Sequence, residues 1–153
     1  MAEEAFDYDL LVIGSGPAGQ RAAIQGAKLG KRVAIVERKA VLGGCSINLG
    51  TIPSKTLREA VLELSGYRSR EFYGASYTVK QNITIQDLLS RTNRVIHNEL
   101  DVTRHQLMRN GVELLAAEAS FTGPDTVRLD HVDGSVSRVV SGCRAGGRRA
   151  RGR

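Results

Sequence analysis

The chain has 153 residues, 41% of them hydrophobic and 25% charged, which is the size and apolar content of one domain with a modest core. Seventeen glycines against three prolines exclude both a collagen-like chain and a proline-rich disordered one. The formal net charge is +6, yet five arginines (Arg144, Arg148, Arg149, Arg151 and Arg153) crowd into Cys143–Arg153 with no acid among them; a nucleic-acid-binding domain would spread its basic charge over a folded face. Cys45 and Cys143 cannot make a disulfide framework, and no residues have metal-ligand spacing, so no metal is expected. The acidic start MAEEAFDYD is unlike a secretory signal, and the apolar run Leu10–Ile13 is far too short to span a bilayer. The expectation is a soluble cytoplasmic protein with no membrane partner.

In chain order, Leu10–Ile13 is a continuous apolar run closed by Gly14, as in a strand buried on both faces. Over residues 17–29 the period changes: Ala18, Ala22, Ala23 and Ala27 give a helix with a smooth face that can pack close to a sheet, and Gly30 stops it. Residues 32–36 are a second buried strand, ending in Glu37. A glycine-rich loop, 38–52, leads to a helix beginning at Pro53 with Leu57, Ala60, Val61 and Leu64 on one stripe and Gly66 at its end. Residues 67–83 are polar and turn-like. Thr84 and Asp87 predict a capping box for a long helix lined by Ile85, Leu88, Leu89, Ile96, Leu100 and Leu107 and stopped by Asn110-Gly111. Three β-like runs follow, 112–116, 126–129 and 135–140, the first an approach strand and the others part of an antiparallel meander. The fold class is therefore α/β and Rossmann-like: a parallel sheet with helices plus an antiparallel β-meander, spanning 1–140.

Gly14-Ser15-Gly16-Pro17-Ala18-Gly19 is a GxGxxG between a strand and a helix. Gly14 permits the tight turn, Gly16 lets the backbone approach a pyrophosphate, and Gly19 lets the helix sit close to the strand. The helix N-terminus offers unpaired N–H groups and a positive dipole end to phosphates. Glu37, at the end of the second strand, stands where a carboxylate can accept both hydrogen bonds of an adenosine ribose, and it disfavours a 2′-phosphate.

The loop Gly43-Gly44-Cys45-Ser46-Ile47-Asn48-Leu49-Gly50-Thr51-Ile52-Pro53-Ser54-Lys55 resembles the segment of flavin-dependent pyridine nucleotide-disulfide oxidoreductases in which GG-x-C-x4-C-IPSK passes beside the isoalloxazine ring. With the element order included, the resemblance covers roughly residues 7–140. The two family cysteines would fall at Ser46 and Thr51, so a dithiol relay is excluded, while Cys45 sits one place too early and reads as a small buried or half-buried residue. A Gly-Thr-Ile-Pro-Ser-Lys segment lacking the second cysteine, with Lys55–Val61, Tyr73–Tyr77 and Gln106–Asn110, resembles the soluble, Si-specific NAD(P)+ transhydrogenase branch of that family. The resemblance implies FAD as cofactor and hydride transfer from NADPH through FAD to NAD+ in the complete enzyme. By it, Gly14, Gly16, Gly19, Glu37 and Arg38 would hold the ADP half of FAD, and Gly43, Gly44, Cys45 and Ser46 would approach the pyrophosphate and ribityl chain by backbone. Thr51 and Lys55 would lie near the flavin ring, and Ala117-Glu118 would touch the adenine by backbone. No catalytic residue is certain.

Family proteins are much longer than this chain; they continue into a further buried strand, a second GxGxxG domain and a dimerisation domain. Residues 141–153 instead read as a basic low-complexity tail, disordered or out of frame, and the chain as a fragment that alone is inactive. A homo-oligomer is expected only of the complete family protein. Two alternatives stay open: a dihydrolipoamide dehydrogenase-like relative, which Ser46 and Thr51 disfavour, and a non-catalytic FAD-binding module with a basic arm.

Overall fold

The computed structural model describes residues 6–66, 74, 82 and 84–146. The expected turn-rich stretch 67–83, Gly74 and Asn82 apart, and the arginine-rich residues 147–153 lie outside them. The chain divides into two compact units, Met1–Gly44 with Val102–Arg153 and Cys45–Asp101.

In the first unit β1 (Tyr8–Ile13), α1 (Pro17–Lys28) and β2 (Val33–Glu37) form the strand–helix–strand unit that periodicity predicts. β1 pairs in parallel with β2, Leu11 opposite Ala34 and Ile13 opposite Val36. β3 (Glu113–Phe121) first pairs in parallel with β2 and then antiparallel with β4 (Thr126–His131). β5 (Val136–Gly146) pairs antiparallel with β4 over its first half and parallel with β1 over its second, Tyr8 opposite Ser141 and Ile13 opposite Gly146. The five strands thus close into a ring, β1-β2-β3-β4-β5, in which β3 and β5 each serve both the parallel sheet and the meander.

This corrects the expected boundary at residue 141. Residues 141–146, expected to open a tail, are the second half of β5 and pair in parallel with β1. Ladder pairing uses main-chain groups, which Gly and Ala carry as well as Val does, so a segment poor in apolar side chains still forms a strand between a partner and a turn-fixed neighbour. Ser141 is fully buried, its hydroxyl donating to the Cys143 carbonyl at 2.7 Å.

Alternate side chains of β1 and β2 feed two cores, which explains their unbroken apolar runs. Leu11, Ala34 and Val36 pack with Ala117, Val127, Leu129 and Val139 of the meander. Val12, Val33 and Ile35 face the other way, against Ala23 of α1, Leu107 and Val112. The buried residues of α1 are Gly19, Ala23 and Gly26; Ala18, expected on this face, is exposed.

The second unit holds α2 (Gly44–Asn48, its first residue in the first unit), α3 (Thr51–Leu64) and most of α4 (Ile85–Arg109). α3 begins two residues before Pro53. A proline there is tolerated because N–H groups of the first turn have no intrahelical partner. The Ser54 hydroxyl donates to the Gly50 carbonyl at 2.9 Å. The capping box of α4 forms as predicted: Thr84 N–H donates to Asp87 Oδ2 at 2.9 Å and Asp87 N–H to Thr84 Oγ1 at 3.3 Å. Arg91 pairs bidentately with Glu63 of α3. On the expected stripe of α4, Leu107 is buried, whereas Ile85 and Leu89 are exposed.

Candidate functional site

The site is built where β1 gives way to α1. The Gly14 N–H donates to the Val36 carbonyl at 2.8 Å and its φ is +97°, a conformation that L side chains rarely adopt. Two residues on, Gly16 is the N-cap of α1, with Pro17 at the first helical position, no side chain capping the helix and no acid in the first turn. The positive end of the helix is therefore left without a charged or capping side chain from its own first turn, as anion binding requires. Gly19 cannot be larger: a Cβ on it would lie 2.1 Å from the Gly14 carbonyl oxygen. A Cβ on Gly16 would meet nothing within 4 Å, so open space lies where the backbone of a phosphate cradle should be approachable. Gly26 makes a second close approach, its virtual Cβ 2.8 Å from Leu10 Cδ2. The sequence reading passes over Gly26 because it lies beyond the motif; its helical spacing of seven from Gly19 is the signal that finds it.

Glu37, at the carboxyl end of β2, is half-buried and already engaged. Its Oε2 accepts from the Ser15 hydroxyl at 2.6 Å and the Ser15 N–H at 3.0 Å, and its Oε1 accepts from the Lys39 N–H at 3.1 Å. Burial pushes the carboxyl up, but those hydrogen bonds and the Arg38 charge outweigh it and hold the group below the ordinary glutamate range. A carboxylate has about four acceptor sites. Three of these are filled by Ser15 and Lys39, which leaves one on Oε1.

The second glycine segment docks on the first. Gly43 (φ +93°) donates its N–H to Ser15 Oγ at 3.1 Å, and a Cβ on Gly44 (φ +60°) would lie 3.0 Å from Gly16 Cα. Gly14, Gly16, Gly19, Glu37, Gly43 and Gly44 thus come together in one unit. Arg38 forms an exposed ion pair with Glu118 at 3.6 Å. Since Glu37 stands opposite Ala116 in the β2–β3 register, Ala117-Glu118 directly follows the residue facing Glu37. The parallel strands run in the order β3-β2-β1-β5, so the chain leaves β1 in one direction and returns on its other side. The glycine turn lies at the carboxyl end of β1 at this reversal, the usual ligand crevice of open α/β sheets.

Cys45, Ser46, Thr51 and Lys55 belong to the second unit. Ser46 is half-buried on α2, and Cys45 is exposed, contrary to the buried or half-buried place expected of it. A five-residue helix covers little side-chain area, which leaves Cys45 in solvent. Both cysteines are free thiols. Thr51 and Lys55 are exposed, four residues apart on α3, and so share one of its faces. Among the described residues no group of His, Cys, Asp or Glu could hold a metal ion, and no helix is long and apolar enough to cross a membrane.

The residue that the motif reading misses is Ser15, an "x" of GxGxxG. It is fully buried, and its carbonyl also accepts from Gln20 Nε2 at 2.7 Å. Only the pairing of a small hydroxyl in the turn with a carboxylate at the end of β2 would have pointed to it.

A family profile described as FAD dependent oxidoreductase matches residues 9–152. A soluble pyridine nucleotide transhydrogenase of Mycobacterium bovis is 60% identical over 136 residues, covering 89% of this chain and 29% of that protein. One of Colwellia psychrerythraea is 42% identical over 90% of this chain and 29% of its own length. The chain thus spans less than a third of the curated relatives it matches. Among solved structures, the HOCl-induced flavoprotein disulfide reductase RclA of Escherichia coli superposes with a TM-score of 0.73 at 23% identity, over 92% of this chain and 28% of that one, a likeness of fold.

Proposed function

The chain belongs to the FAD-dependent oxidoreductase family, and from that premise we propose that its first unit is the cradle for the ADP half of FAD in a protein that passes hydride from NADPH to NAD+. The observation that carries the reading is the docking of two glycine segments around Ser15, with open space beside Gly16 and the acid Glu37 at the strand end. That arrangement suits a dinucleotide with a free ribose. The bare N-terminus of α1 and the backbone of Gly14–Gly16 and Gly43–Gly44 would take the pyrophosphate, Glu37 a ribose hydroxyl, and Arg38 and Ala117-Glu118 the adenine end.

FAD, when bound, supplies a ring that takes up and releases a hydride. The part of this chain in that chemistry is electrostatic: Lys55, on the same face of α3 as Thr51, would stabilise negative charge on the reduced ring. Cys45 and Ser46 would contribute backbone only. Ser46 and Thr51 stand where a disulfide reductase carries its redox cysteines, so no thiol step is proposed. The transhydrogenase names of the relatives, with no disulfide needed for such a transfer, support this reaction class. We place the protein in the cytoplasm, with dinucleotides as its small-molecule partners, nucleic acid not among them, and self-association a property of the longer family protein.

The test is isothermal calorimetry on the 153-residue chain. FAD is expected to bind more tightly than NAD+ or FMN, because FMN lacks the ADP half and NAD+ lacks the flavin, beside whose ring the family segment resembled by the loop from Gly43 passes. NAD+ binding equal to or tighter than that of FAD overturns the reading.

A further inference from the structure

Ser15 is fully buried and hydrogen-bonded through both side chain and backbone, and the motif assigns it no role. Its side chain is shut off from solvent. The hydroxyl donates to Glu37 Oε2 at 2.6 Å and accepts from the Gly43 N–H at 3.1 Å. Its own N–H donates to the same Oε2 at 3.0 Å, and its carbonyl accepts from Gln20 Nε2 at 2.7 Å. One residue thus links the glycine turn, the end of β2, the second glycine segment and α1. Its two donors take both acceptor sites of Oε2, and the Lys39 N–H takes one on Oε1, so the remaining acceptor site of the carboxylate has a fixed direction.

We propose that Ser15 is a positioning residue for ribose recognition: it locks the rotamer of Glu37 through Oε2, presents Oε1 as the acceptor for a ribose hydroxyl, and clamps the Gly43–Gly44 segment onto the first turn. The proposal rests on the reading of this site as a dinucleotide cradle. A serine suits the place because its hydroxyl donates and accepts at once in a volume hardly larger than alanine. Alanine would lose both bonds and leave the Gly43 N–H without this partner.

Two measurements on the full chain separate this from a merely structural role. The first is a double-mutant cycle of FAD affinity with Ser15→Ala, Glu37→Ala and the double variant. Ser15→Ala is expected to weaken FAD by about ten-fold, the equivalent of about 1.4 kcal/mol. In the Glu37→Ala background the same change should have several-fold less effect. Equal effects in both backgrounds, or none in either, overturn the proposal.

The second needs no ligand. Carbon-13 NMR titration of the Glu37 carboxyl should show its midpoint rising in Ser15→Ala, since the hydroxyl bond to the ionised form is lost. The Arg38 charge beside Glu37, and Glu118 paired with Arg38, are the same in both proteins. An unmoved midpoint overturns the positioning role even if FAD binds. A shifted midpoint in a chain that binds no FAD supports the link from Ser15 to Glu37 while sinking the dinucleotide reading. Should Ser15→Ala fail to fold, Ser15→Cys, near-isosteric with a weak donor, carries both comparisons. A wild-type midpoint and affinity in Ser15→Cys would count against the proposal.

Discussion

Tyr8 and Glu37 sit at opposite ends of the parallel sheet, Tyr8 opening β1 and Glu37 closing β2. At the amino end of β1, the Tyr8 hydroxyl donates to Glu113 Oε2 at 2.7 Å. Burial, that bond and the negative charges of Glu113 and Asp7 push the phenol up to about 12. A group whose pKa is raised by folding contributes stability that is complete below its unfolded pKa, near 10 for tyrosine, and lost as pH climbs through the folded value. The chain is therefore expected to lose stability between about pH 10 and 12, and Tyr8→Phe to lose less over that window. Urea unfolding across that range checks this; identical pH slopes in the two proteins would show that Tyr8 and Glu113 do not interact in solution. Glu37 has the opposite sign. Its depressed pKa gives stability that is present above the ordinary glutamate range and fades in acid as the carboxyl protonates.

On the scale of elements, the glycines of the turn separate into two kinds that the motif alone treats alike. Gly19 faces the Gly14 carbonyl at a distance no Cβ can share. Gly19→Ala must therefore push α1 away from β1, and a loss of about 1–3 kcal/mol is expected, typical of overpacking. Gly16 has a φ of −66° and nothing near its virtual Cβ. Gly16→Ala should leave the melting temperature nearly unchanged and yet abolish FAD binding, because its methyl group would occupy the space left for the pyrophosphate. Calorimetric scans paired with FAD titration of both variants check the contrast. A Gly16→Ala chain that still binds FAD normally would place the pyrophosphate elsewhere. The same close approach shows why the small face of α1 is read only partly from sequence. Alanine spacing points to the helix and its stop, but which small residues meet the sheet depends on rotation about the helix axis, and that is set by Leu10 and Val33 pressing on Gly26.

For the molecule as a whole, the ring of five strands joins what the sequence presents as separate parts. β3 and β5 turn from parallel to antiparallel pairing along their length, so the meander is tied to the sheet at both ends. Hydride transfer between two nicotinamides needs a nicotinamide held against the flavin, and the sequence has one GxGxxG, which the ADP half of FAD would fill. The 153-residue chain is expected to bind FAD without turning over NADPH and NAD+. Joined to the remaining length of a transhydrogenase relative, it should show FAD-dependent transfer and no activity toward disulfides. Steady-state assays with a nicotinamide analogue as acceptor test both halves, and turnover by the 153-residue chain alone would place the nicotinamide site within it.

The sequence by itself determined the strand–helix–strand unit, the glycine turn within it and the cap of α4. A strand buried on both faces must be apolar throughout, a turn with positive φ needs glycine, and a capping box needs Thr84 three residues before Asp87; each is a short-range requirement written in adjacent residues. Tertiary structure decided the rest. Ser15 matters only because β2 ends where Glu37 can reach it. Residues 141–146 form a strand because β1 offers an unpaired ladder beside them, whatever their side chains. Such outcomes depend on groups distant in the chain meeting in space, and no local pattern of residue types encodes that meeting.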